Sequence, residues 1–239
     1  MQHYQDFFGP LFAHLGYSSV YKPKNAPTSV HSEARDGCLI LSRLPVTETF
    51  GWRLGETHNQ IAVACTVTVG TEPLLVVATH LKSSKTAHGE EIRQQQVATL
   101  MNHIENTIRN RNVPVVICAD LNASYEQSAS TPYAPQAYPL IVGNKFPEMF
   151  SAYCAYGDHE STEGLCIQNG RGEAPYTTCK TRGSTLVKHT IDFVFASKGV
   201  YPLKLAGMPQ DKDLPEYGLP AWVWPSDHLP LHVCFTLRK

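Results

Sequence analysis

Apolar residues recur at helical spacing over residues 3–16, where Tyr4, Phe7, Phe8, Leu11, Phe12 and Leu15 fall on one side and Gly16 supplies a stop. This predicts an amphipathic helix. The chain then turns polar, with Pro, Ser and Lys through residues 17–36, and leaves room only for a short strand at 17–21. Residues 37–42 (GCLILS) read as a strand. Over 60–69 the apolar positions Ile61, Val63, Cys65 and Val67 alternate, which puts them on one face of a strand. Residues 73–80 (PLLVVATH) form another, entered from a Gly-Thr-Glu turn. The period becomes helical again over 90–109, with Ile92, Gln96, Leu100, Ile104 and Ile108 in a stripe and Val97 and Met101 beside it. Residues 113–119 (VPVVICA) are continuously apolar, the pattern of a strand buried on both faces. From 123 to 185 the chain reads mostly as loop, with short helices at 138–142 and near 148–153. Strands at 190–196 and 231–237 close the chain.

No internal repeat and no linker divides this pattern, so residues 1–239 are expected to form a single domain. Strands dominate, helices fall between some of them, and the strands are too numerous for one simple sheet. The expected fold is therefore α/β, a four-layer α/β sandwich of two packed sheets with helices outside. A chain of 239 residues is long enough to bury a full core. With 42% hydrophobic and 17% charged residues it has ordinary globular composition. The net charge of -1 gives no global basic field, so any affinity for nucleic acid must come from a local patch. No apolar run reaches the roughly 18 residues of a membrane helix. The first residues lack the basic-then-apolar order of a secretory signal. The seven Cys are odd in number, scattered, and never spaced CxxC. Most lie in apolar runs, where they read as small buried hydrophobes, reduced in the cytosol.

Four polar clusters interrupt the apolar pattern. His80 ends the strand at 73–80, where α/β folds place ligands, and Lys82 follows two residues on. A strand-end His also serves to cap a backbone carbonyl. Asp120 and Asn122 end the run VPVVICA on one side of the chain. An Asp there can orient and deprotonate a water, and an Asn can hydrogen-bond a phosphoryl oxygen; both are also common turn residues. Asp192 stands alone between Ile191 and Phe193. It needs a partner if buried, either His228 or an Arg or Lys in a salt bridge. Asp227 and His228 follow Ser226 in a loop, where both side chains can point into one site: the carboxylate toward a divalent metal, the imidazole toward a phosphoryl oxygen. No GxSxG elbow supports a serine nucleophile, and neither HExxH nor paired Cys supports zinc. Hard oxygen donors favour Mg²⁺ or Mn²⁺.

The order HLK, then Asp-x-Asn at a strand end, then HTIDF, then SDHL resembles the endonuclease/exonuclease/phosphatase superfamily. Within it the chain is similar to the CCR4-type branch. Further short matches lie at His3-Tyr4, Pro10-Leu11, Leu15-Gly16-Tyr17, Asp36-Gly37-Cys38, Ser151-Ala152-Tyr153, Pro175-Tyr176-Thr177-Thr178 and Pro225-Ser226-Asp227-His228. The resemblance implies roles. Asp120 activates the water, and Asp120 and Asp227 bind the metal. Asn122 and His80 contact the scissile phosphate, and His228, held by Asp192, stabilises the developing charge. Lys82 and Arg182 hold substrate phosphates. In the pattern of this branch an Arg follows HLK by two places; here Ser84 stands there and Lys85 comes one place later, a cation without the bidentate fork. The implied cofactor is Mg²⁺, with Mn²⁺ as a substitute. The implied reaction is removal of the 2′-phosphate of NADP(H) or, alternatively, 3′-exonucleolytic shortening of an adenine-rich RNA end. A monomer without membrane contact is expected.

The same resemblance places a metal-ligating Glu, and an Asn on an earlier strand, ahead of Met1. The expectation that follows is a domain lacking its N-terminal strands, which binds Mg²⁺ poorly and is nearly inactive alone. A third reading is then an impaired form with a binding or regulatory role. The expected compartment is the cytoplasm, or the mitochondrion if a leader precedes the chain.

Overall fold

The protein is described here as a computed structural model covering residues 4–24, 36–55, 59–128, 133–156 and 172–238. It opens on a π-helical turn (Tyr4–Phe8), followed by α1 (Gly9–His14), β1 (Ser18–Pro23), β2 (Gly37–Ser42), β3 (Val46–Arg53), β4 (Ile61–Val69) and β5 (Glu72–His80). Then come α2 (Ala87–Ile108), β6 (Val115–Asp120), α3 (Ala137–Val142), β7 (Met149–Ser151), α4 (Ala152–Tyr156), β8 (Thr178–Arg182), β9 (Thr185–His189), β10 (Asp192–Ser197), β11 (Val200–Leu205) and β12 (Val233–Leu237).

Six strands form the central sheet in the order β3-β4-β5-β6-β10-β7. Only β5 and β6 run parallel, because the 22-residue helix α2 carries the chain back between them. The Thr86 hydroxyl caps α2 by accepting the Gly89 N–H at 3.0 Å. Helix and sheet share the main core. On the sheet side it holds Ala62, Ala64, Val77, Ile117, Phe193 and Phe195; on the helix side, Val97, Leu100, Ile104 and Ile108 of α2 and Ile141 of α3. Burying one such Leu, Ile or Phe side chain contributes about 1.5–3 kcal/mol.

The opposite face of the sheet is covered in two pieces. Cys38 and Ile40 of β2 pack on Ile61, Val63, Cys65 and Val67 of β4. Val200 of β11 and Val233, Phe235 and Leu237 of β12 pack on Val116, Val194 and Ala196. Outside these small sheets, Tyr4 stacks on Tyr21 at 4.5 Å, and α4 lies against β11. The layered α/β sandwich expected from the sequence is thus present, with its second layer split into two-stranded sheets.

Several expectations are corrected. The N-terminal stripe does not make one helix: Pro10, in the first turn of α1, carries no N–H, and the turn before it is π-helical. Phe7, Phe8, Leu11 and Leu15 are exposed rather than buried. Residues 149–151 form a strand, not a helix, because they pair with β10 through Phe195↔Ser151. β6 is buried on both faces at Val115, Val116 and Ile117, as expected, but further along it Cys118 is exposed. Cys38, Cys65 and Cys179 are buried as expected, whereas Cys118, Cys154 and Cys234 are exposed; all six are free, and Cys166 falls outside the described residues. The strands β3, β8, β9 and β11 were not anticipated. Among the described residues no helix is long and apolar enough to cross a membrane.

Candidate active site

Parallel β5 and β6 end at the same edge of the sheet, and antiparallel β10 begins there. The register therefore sets His80 beside Asp120 and Asp120 beside Asp192 in one row across three strands. Period-two alternation puts this row on the face that carries Ala78, Cys118 and Val194. The loop after Trp224 adds His228, which bridges to Thr178 on β8.

Asp120, Asp192 and His228 each offer a ligand atom, and these atoms all lie within 4.8 Å of one another. His228 donates its Nδ1–H to Asp192, at 2.9 Å from Oδ2 and 3.1 Å from Oδ1. His80 Nε2 stands 3.5 Å from Asp120 Oδ2. The other Asp120 oxygen accepts the Asn122 N–H at 2.8 Å, which fits the left-handed backbone of Asn122 (φ 50°). The Asn122 amide donates to Leu81 O at 3.2 Å, tying this turn to the end of β5.

Burial raises the Asp120 carboxyl above its usual range, and the facing Asp192 carboxylate raises it further, with His80 working against both. The Asp192 hydrogen bond raises His228, against the pull of burial. Two carboxylates and an imidazole converge here, each half-buried, an arrangement that favours a bound cation or a shared proton.

Asp227, expected at the metal, stands apart from this group. Its Oδ2 accepts from Lys180 Nζ at 2.6 Å, which holds the carboxyl below its usual range, and its Oδ1 lies 4.0 Å from His228 Nε2. Lys85 reaches across from the β5–α2 loop and donates to His189 Nε2 at 3.1 Å. A Lys has only donors, so this His nitrogen must be the unprotonated one. Burial first, then Lys85, Lys180 and Arg182, lower the His189 pKa. Of the expected cations, Lys85 thus contacts His189 directly and Lys82 belongs to the same loop, while Arg182 is exposed at the end of β8.

Three participants have roles that the sequence motifs do not assign. Lys180 holds Asp227, and His189 receives Lys85. Thr177, fully buried, is the joint beneath the site. Its hydroxyl accepts the N–H of Ile191 at 3.0 Å and of Asp192 at 3.1 Å, and its carbonyl accepts the Leu229 N–H at 2.8 Å. One residue so fixes both the start of β10 and the loop bearing His228.

A model of the Endonuclease/Exonuclease/phosphatase family matches residues 2–228. Nocturnin of Homo sapiens is 27% identical over 251 residues, covering 100% of this chain and 53% of that protein. The CCR4-Not complex 3'-5'-exoribonuclease subunit Ccr4 of Yarrowia lipolytica is 22% identical over 293 residues, covering 99% of this chain and 40% of that protein. The chain thus spans about half the length of the curated relatives it matches. The solved catalytic domain of human nocturnin with bound sulfate superposes with a TM-score of 0.72 at 25% identity, covering 100% of this chain and 78% of that one. The short matches noted from the sequence point, inside the CCR4-type branch, to nocturnin, and these similarities agree.

Proposed function

Because the chain belongs to the endonuclease/exonuclease/phosphatase family, we propose that it is a metal-dependent hydrolase of phosphate esters, centred on Asp120, Asp192 and His228. The observation that carries this reading is the convergence of those three groups within 4.8 Å. Two opposed carboxylates repel unless a cation or proton lies between them, and their hard oxygen donors suit Mg²⁺ or Mn²⁺. A divalent ion held there would withdraw electron density from a phosphoryl oxygen and acidify a water.

The chain's own residues then divide the work. Asp120, held by the Asn122 N–H, orients the attacking water and takes its proton. His80 and the Asn122 amide contact the scissile phosphate. His228, whose protonated form the Asp192 hydrogen bond favours, faces the charge that develops on the phosphoryl oxygens. Lys82, Lys85 and Arg182 hold further phosphate, and Asp227, oriented by Lys180, borders His228.

As substrate we favour the 2′-phosphate of NADP(H), on the likeness to nocturnin and the absence of any Lys/Arg-rich run that would track a long RNA. Shortening of an adenine-rich RNA 3′ end is the second reading, favoured by the likeness to an exoribonuclease subunit. Incubation with NADPH and with oligo(A), each in Mg²⁺ and in EDTA, separates them. Metal-dependent phosphate release from NADPH with intact oligo(A) supports the first. Shortened oligo(A) with intact NADPH overturns it in favour of the second, and turnover of both in EDTA overturns the metal centre.

A further inference from the structure

The most deeply buried charge among the described residues has none of the roles above. Arg93, on α2, is 0% exposed, and its partner Glu90, one turn earlier, is 3% exposed. Arg93 Nε and Nη2 both donate to Glu90 Oε2, at 2.8 and 2.6 Å. Glu90 Oε1 in turn accepts the N–H groups of Gln136 and Ala137, at 2.5 and 2.9 Å, at the start of α3.

The remaining donors of Arg93 point away from its own helix. Nη1 donates to two carbonyls of the β5–α2 loop, Lys82 O at 2.9 Å and Ser84 O at 2.6 Å. Nη2 donates to Tyr133 Oη at 3.1 Å. From the next turn of α2, the buried Gln96 accepts the Lys82 N–H at 3.0 Å. Gly89 lets the loop close on the helix: a Cβ there would meet Ser84 Cβ and Oγ at 2.5 Å. Both backbone groups of Lys82 and the carbonyl of Ser84 are thus held by α2.

Stability alone is a weak reason for such a pair. Removing two charges from water is expensive, and apolar side chains of similar volume often pack there at no loss. What apolar side chains cannot do is bind those carbonyls. The loop so fixed carries Lys82 and Lys85, and Lys85 spans to His189 at its far end. A cation on a fixed backbone loses less conformational freedom when an anion binds.

We propose that Arg93 is a positioning residue for phosphate recognition: through Lys82 O and Ser84 O it sets the loop that presents Lys82 and Lys85, and it touches no substrate itself. This rests on the reading that those lysines hold substrate phosphate, and the test separates the two claims. In the full 239-residue chain, two quantities are measured. One is amide hydrogen exchange in peptides spanning 82–85; the other is the Kd for inorganic pyrophosphate by calorimetry. The variants are Arg93→Lys, Arg93→Gln and the double variant Lys82→Ala/Lys85→Ala. Arg93→Lys keeps the charge beside Glu90 but loses the fork. It is expected to speed exchange at 82–85 and to weaken pyrophosphate binding about tenfold, with KM on a hydrolysed ester rising by a like factor and kcat holding within about twofold. Should the Arg93 variants fail to fold, Gln96→Met, which removes the acceptor of the Lys82 N–H together with the donor to Gln60 Oε1 (3.2 Å), is expected to shift both quantities the same way. Folded variants with wild-type exchange at 82–85 would overturn the positioning role, even with a lowered Tm. Unchanged pyrophosphate affinity in Lys82→Ala/Lys85→Ala, with fast exchange in Arg93→Lys, would overturn the phosphate reading alone.

Discussion

Asp192 receives the Nδ1–H of His228 on both of its carboxylate oxygens, at 2.9 and 3.1 Å. That contact fixes the ring and leaves Nε2 as the face turned toward Asp227 and the site. It is also the largest cause of the raised His228 pKa. Replacing Asp192 by Asn removes that cause, so His228 should lose its proton at lower pH. The alkaline limb of kcat/KM is then expected to shift toward acid, and the rate to fall by about 10²–10⁴. A pH–rate profile checks this, and a limb that stays in place in a folded Asp192→Asn variant argues that His228 does not act as the charged group. The linked effect on stability has the same origin. A His with a raised folded pKa stabilises fully below its unfolded pKa, and that stability drains away as pH rises through the folded value.

Asp120 and Asp192 stand directly opposite one another on β6 and β10, and like charges so placed destabilise a sheet by about 0.2–1 kcal/mol. Without metal, Asp120→Asn is therefore expected to raise Tm, by about 1–3 °C at this chain size. With millimolar Mn²⁺ the order should reverse, because binding stabilises only the chain that keeps its ligand. Melting curves in EDTA and in Mn²⁺ decide it. A wild-type Tm indifferent to Mn²⁺ would count against the metal assignment.

Thr177 tests the joint beneath the site. Val at this position keeps the shape and loses the oxygen, leaving the N–H groups of Ile191 and Asp192 without their acceptor. The cost should be about 1–3 kcal/mol in urea unfolding. Thr177→Ser, which keeps the oxygen, should recover most of it. Equal losses in both variants would mean that methyl packing, not the hydrogen bonds, holds this corner.

What the sequence disclosed followed from how local each signal is. His80, Asp120 and Asp192 each end or begin an apolar strand, so strand pairing alone brings them into one row, and the apolar runs at 73–80, 113–119 and 190–196 are enough to predict those strands. The β8–β9 hairpin was legible but read as loop: Gly183-Ser184 between TCKTR and TLVKH is a two-residue turn signal, and Gly183 has the positive φ (61°) such a turn uses. Other features had no local signal. The strand at Met149–Ser151 exists because β10 offers it a partner, and nothing around Asp227 announces that Lys180, 47 residues away, claims one of its oxygens. Thr177 lies in the run PYTT, where a buried acceptor and a surface hydroxyl look alike until Ile191 and Asp192 are placed beside it.

Glu173 gives a stability effect with a definite sign. Burial raises its carboxyl above the usual range, although Tyr138 Oη donates to its Oε1 at 2.5 Å and the Cys154 thiol lies at 3.5 Å. An acid harder to ionise in the folded than in the unfolded chain binds more protons when folded. It therefore costs stability above its folded pKa, and that cost disappears as pH falls toward its unfolded value. Glu173→Gln keeps a carbonyl oxygen for Tyr138 and cannot ionise. The variant is expected to be the more stable protein at pH 8, with the advantage shrinking as pH falls through the raised folded value and vanishing toward the ordinary value of 4.5. Unfolding free energies of both proteins across that range provide the check. A gap that does not change with pH would assign the effect to packing around Tyr138, and a Gln variant weaker at pH 8 would mean that the charged form is the one this pocket prefers.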